Sequence, residues 1–80
     1  MSERIERAIQ ELVINGPVPL EVLAEKVGKS PKTLLREVNP DDPKAKLGAE
    51  TLMEIMIITG RVEPLKLMAE EMNYTLESED

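Results

Sequence analysis

The chain has no cysteine, no histidine, no phenylalanine and no tryptophan, and each absence removes a class of chemistry. Without cysteine there is no disulfide and no thiolate nucleophile, and without histidine there is no imidazole base. The two absences together remove the usual zinc frameworks. Such a composition suits the cytosol, so a cytoplasmic location is expected. Tyr74 is the sole aromatic residue, which disfavours the stacking platforms that bind single strands or RNA. It also leaves Leu, Ile, Val, Met and Ala to fill the core, and their short reach suits close packing of helix on helix. Long apolar runs are missing too. The longest, Leu52 to Ile58, is seven residues interrupted by Glu54, against the roughly 20 needed to cross a bilayer. The start, Met1-Ser2-Glu3-Arg4, mixes acid and base, so neither a signal peptide nor a membrane anchor is expected there. No nucleophile–base pair and no cofactor fingerprint is present, so the chain reads as a non-enzyme with no cofactor and no small-molecule substrate. Glu70-Glu71 and Asp41-Asp42 lack the ligand spacing of a calcium loop and read as solvated faces, so no metal is expected.

What is present is 80 residues with a net charge of −6, a length that fits one domain over residues 1–80 with one small core. An acidic chain is at first sight a poor partner for a polyanion, but the charge is unevenly placed. Between Lys26 and Lys46, six cations (Lys26, Lys29, Lys32, Arg36, Lys44 and Lys46) face Glu37, Asp41 and Asp42, a local surplus of three positive charges. The segments on either side are acidic, so the middle is a weak but directional basic field.

Hydrophobic spacing predicts an all-α domain of about five short helices. The first runs from Glu3 to Ile14 with Ile5, Ala8, Ile9, Leu12 and Val13 on one face, Ser2 as N-cap and a left-handed Gly16 before Pro17 as its stop. A second is expected from Pro19 to Val27, burying Leu20, Leu23, Ala24 and Val27. Gly28-Lys29-Ser30-Pro31 supplies in turn a C-cap glycine, an N-cap serine and a first-turn proline, and a third helix follows from Pro31 to Val38, held by Leu34 and Val38. Asn39 to Lys44 reads as an ordered connecting loop. A fourth helix, from Gly48 or Ala49 to Thr59, is apolar on nearly every side, and a fifth, from Val62 to Asn73, carries a stripe of Leu65, Met68, Ala69 and Met72. Residues 77–80 read as a frayed acidic tail.

The segment from Leu20 to Asn39 is the informative one. Ala24 is small enough for a crossing helix to approach, Gly28 takes a conformation costly for other residues, and Leu34 and Val38 hold the outer helix against the core. These are the mechanical requirements of a helix-turn-helix over residues 20–38, whose second helix enters the major groove of double-stranded DNA. Lys29 and Ser30 are then phosphate-contact candidates. Lys32 and Arg36 are placed to reach guanine acceptors, Thr33 a phosphate or base edge, and Leu35 a thymine methyl. Lys26, Lys44 and Lys46 would add sequence-independent attraction. The same residues also fit a plain helix–helix corner with solvated lysines.

The stretch Leu23-Ala24-Glu25-Lys26-Val27-Gly28-Lys29-Ser30-Pro31-Lys32-Thr33-Leu34, with Val38-Asn39-Pro40, Lys46-Leu47 and Ile58-Thr59-Gly60 further on, resembles the CII-type lysogeny regulators of temperate phages. The resemblance covers roughly residues 20 to 76. It implies a lambda-repressor-like helical fold, DNA binding as a homodimer or higher homo-oligomer, and control of phage gene expression. Glu37 beside Arg36, and the acidity of the whole chain, depart from that pattern.

The fourth helix admits two readings. Met53, Met56, Ile57 and Ile58 exceed what one small core shelters and would suit an oligomer interface, with Met53, Met56 and Ile57 as its candidates; equally, they could all be buried within one copy. A rival function of another class follows. The chain could be a helical protein-interaction module that keeps the fold and binds a protein through its acidic, Met-rich helices.

Overall fold

The computed structural model describes residues 2–79, and within them the chain forms five α-helices: α1 (Glu3–Asn15), α2 (Leu20–Lys26), α3 (Pro31–Glu37), α4 (Ala49–Thr59) and α5 (Glu63–Glu71). The described residues contain no strand, so the all-α expectation holds. Met1, and Asp80 of the expected acidic tail, lie outside the described residues. No helix among the described residues is long and apolar enough to cross a membrane.

α1 begins where the Ser2 hydroxyl accepts the Ile5 N–H at 3.3 Å, satisfying one of the orphan donors of the first turn. Its spacing places Ile5, Ile9, Leu12 and Val13 on one buried face. Its end differs from the expectation, because Gly16 is extended, at φ −77° and ψ −177°, and not left-handed. Pro17 gives the reason, since the ring of a following proline pushes the residue before it out of the helical region. Glycine is still required there, because a Cβ on Gly16 would run into the Leu12 carbonyl oxygen.

α2 and α3 form the tightest local unit. Pro19 is the N-cap of α2 and not its first helical residue, and Val27 caps the other end. Gly28 takes φ +75°. Its N–H reaches the Glu25 carbonyl at 3.1 Å and the Lys29 N–H the Ala24 carbonyl at 2.9 Å, the pair of bonds that closes a helix through a left-handed residue. Three residues later the Ser30 hydroxyl accepts the Thr33 N–H at 3.1 Å and starts α3. Leu23, Ala24 and Leu34 are fully buried between these helices and α1, and Val38 almost so. A Cβ on Gly28 would touch nothing, so Gly28→Ala isolates the backbone cost. A lower urea midpoint, corresponding to a loss of about 1–2 kcal/mol, is expected.

α4 contributes Leu52 and Ile55 to the same core and ends at Gly60, which has φ +70°. Buried Thr59 donates its hydroxyl to the Ile55 carbonyl at 2.7 Å, so a polar side chain sits inside without an unmet donor. α5 returns to α1. Arg4 and Glu70 pair at 3.4 Å, and the Ser2 hydroxyl donates to Glu71 Oε2 at 2.6 Å. The stripe expected on α5 holds only in part: Ala69 is buried and Met68 half-buried, but Leu65 and Met72 are exposed, and Pro64 and Leu67 turn inward instead. The helix stops at Glu71, one residue short of Met72, where Asn73 goes left-handed at φ +61° and the Tyr74 N–H closes back on the Ala69 carbonyl at 2.8 Å.

Candidate nucleic-acid interface

α3 is anchored through Leu34 and the Val38 that follows it, and this fixes what it shows to solvent. Lys32, Thr33, Leu35 and Arg36 are all exposed. Lys32 and Arg36 stand one turn apart on the same face, as residues four apart on a helix must. The Ser30 hydroxyl is spent locally: it accepts the Thr33 N–H and donates its proton to Thr33 Oγ1 at 2.9 Å. The Thr33 hydroxyl proton is therefore the one left to donate outward from this cap.

Two of the expected cations are held by acids. Lys29 Nζ lies 2.9 and 3.0 Å from the two carboxylate oxygens of Glu37, in a half-buried pair that bridges the two ends of α3. Glu37 thus pairs with Lys29 and not with its neighbour Arg36. Arg36 Nε instead donates to Asp42 Oδ2 at 3.3 Å. Asp42 is itself fixed, because its Oδ1 accepts the backbone N–H groups of Lys44 at 3.0 Å and Ala45 at 3.3 Å. The Lys44 N–H is the main cause holding the Asp42 carboxyl below its usual pKa; partial desolvation opposes it, and Arg36 and the Ala45 N–H add to it. Upstream, Asn39 Oδ1 accepts the Asp41 N–H at 2.9 Å. The segment carrying Lys44 and Lys46 is thus an ordered turn tied by Asp42 to the exposed side of α3.

Lys26, Lys32, Lys44 and Lys46 are exposed and form no ion pair among the described residues. After the two internal pairs cancel, these four lysines face Asp41 alone, so the surplus of three positive charges survives as free surface charge. Sequence reading named the cations but missed Glu37 and Asp42 as their partners. The signal for Asp42 was the Asp-x-Lys spacing of a side-chain-capped turn; the Lys29–Glu37 pair has no local signal.

The rest of the surface offers little chemistry. A groove of about 330 Å³ lies between α1 and residues 38–47, floored by Ile9, Val38 and Leu47 and rimmed by Glu6, Asp42 and Lys46. No cluster of metal-ligating side chains occurs among the described residues. On α4, Met53 and Ile57 are 53% and 70% exposed, while Met56 is half-buried against the core.

Residues 3–80 match the family model described as phage regulatory protein CII (CP76). The chain belongs to that family. The match takes in all five helices, including the α2–turn–α3 unit and the Asp42 turn. Membership in the CII (CP76) family makes it a phage regulatory protein by descent, in a family of regulators and not of enzymes. No curated protein and no solved structure matches the chain significantly.

Proposed function

We propose that this CII-family protein is a sequence-specific, double-stranded-DNA-binding transcriptional regulator of phage lysogeny, acting in the cytoplasm. α2 and α3 are its helix-turn-helix, and α3 is the helix that enters the major groove. The observation that carries this reading is the exposed quartet Lys32, Thr33, Leu35 and Arg36 on a helix whose inner face is locked by Leu34. A donor fork, a hydroxyl and an apolar contact are what base edges and thymine methyls require. Lys26, Lys44 and Lys46, free of internal acids, supply phosphate contacts around it, and Lys29 joins them only by leaving Glu37. The exposed Met53 and Ile57 of α4, flanking the half-buried Met56, are where a second copy would pack in a homodimer or higher oligomer.

The test is a fluorescence anisotropy titration with duplex DNA at several salt concentrations. Three free lysines on phosphates, Lys26, Lys44 and Lys46, give a slope of log K against log salt of about −3, through release of condensed counterions. A second reading draws on the exposure of Met53, Ile57 and Met72 amid acidic helices, which fits a module that docks on a protein. Binding to DNA that is absent even at low salt, with salt-insensitive binding to a protein, would favour that module.

A further inference from the structure

We propose that Asp42 is a positioning residue for Arg36, and that the pair, not the arginine alone, sets base preference at one position of the DNA site. The inference rests on the DNA-binding reading above. The hydrogen bond to Asp42 uses Arg36 Nε. Nη1 and Nη2 make no hydrogen bond among the described residues, and the arginine side chain is 59% exposed against 23% for the aspartate. The acid is therefore the fixed member. Its Oδ1 is held by two backbone N–H groups of its own turn, and its Oδ2 holds the guanidinium by the edge that a base does not need. What remains free is the terminal pair of nitrogens, the fork that matches guanine O6 and N7.

Surface ion pairs contribute little to stability, so the Arg36–Asp42 pair is better explained by orientation of the arginine than by folding, while the two backbone hydrogen bonds to Oδ1 shape the turn itself. An arginine on an open helix face samples many rotamers, and ordering it on DNA costs entropy. Restraining Nε in advance lowers that cost for one geometry alone. The competing role for Asp42 is that of a brake, an acid that draws Arg36 away from phosphate. The two roles predict different results for D42N, which keeps an oxygen acceptor for the Lys44 and Ala45 N–H groups but removes the charge and the second acceptor.

The experiment uses the full chain as wild type, D42N and R36A. Each is taken through rounds of selection on a pool of random-core duplexes and titrated against one fixed, unselected duplex. In the wild type the expected result is a guanine preference at one position that R36A loses. D42N loses it too, by about ten-fold in discrimination, the worth of one bidentate contact. D42N nevertheless binds the unselected duplex at least as tightly as wild type, because one negative charge has gone. A D42N protein that keeps the guanine preference, or that gains equally on selected and unselected DNA, overturns the positioning role and leaves the DNA-binding reading standing. Wild-type protein that binds no duplex at low salt overturns both. Should D42N melt early, nitrogen-15 NMR of the free wild type decides instead. A slowly exchanging Arg36 Nε–H supports the restraint, and one exchanging at the rate of a free arginine overturns it.

Discussion

The double substitution K32A/R36A is expected to lower DNA affinity by at least about thirtyfold, since a base-contacting arginine or lysine is worth about 1–3 kcal/mol each and about 1.4 kcal/mol is tenfold. The salt dependence of what binding remains should stay close to that of wild type, because the phosphate contacts assigned to Lys26, Lys44 and Lys46 are untouched. The fold should not notice. Both residues are exposed on α3, alanine is the best helix former, and the substitution breaks a single surface ion pair among the described residues, that between Arg36 and Asp42. Circular dichroism and the melting temperature should stay close to wild type while anisotropy loses its signal. A folded double mutant that binds DNA undiminished would move the contact surface away from α3.

Leu34→Ala is expected to do the reverse. Leu34 is fully buried, and truncating a buried leucine costs about 2–5 kcal/mol through reduced burial and the cavity left behind. A core of this size supplies little more than that in total, so the variant should be largely unfolded at physiological temperature. Helical content should fall together with DNA binding, and urea denaturation against wild type measures the loss. The two variants separate what α3 does from what holds α3 in place. If L34A melts like wild type, the packing described for α3 is wrong.

Much of the fold was legible because its punctuation is chemical and local. Ser2 and Ser30 cap as their side chains allow, and Gly28 and Gly60 take the left-handed turns that end helices. The departures have physical sources. At Gly16 the neighbouring proline decided the backbone, although the glycine suggested a left-handed cap. On α4, apolarity on every side left the buried face undetermined until packing chose Leu52 and Ile55 and left Met53 and Ile57 outside. On α5 the expected stripe counted Met72 as helical, but the turn at Asn73 ends the helical period before it. The exposed quartet of α3 followed from Leu34 and Val38 alone. Its pairing did not, because Lys29 meets Glu37 eight residues away, and Arg36 chooses Asp42 across a turn over the adjacent Glu37.

Under the DNA-binding function proposed above, the brevity of α3 limits how a DNA address could be stored. Seven residues make a rod about 10 Å long, which spans about three base pairs at a rise of about 3.4 Å each. A word of three letters recurs by chance about once in every 64 positions, while a genome offers about 10⁶–10⁹ competing sites. One copy of this helix therefore holds too little information to select a single operator, however well Arg36 is aimed. On that reading the rest of the address would come from outside the helix, and the homodimer or higher oligomer proposed above would supply it by repetition, with neighbouring copies reading the same short word at a fixed spacing so that the chance frequencies multiply.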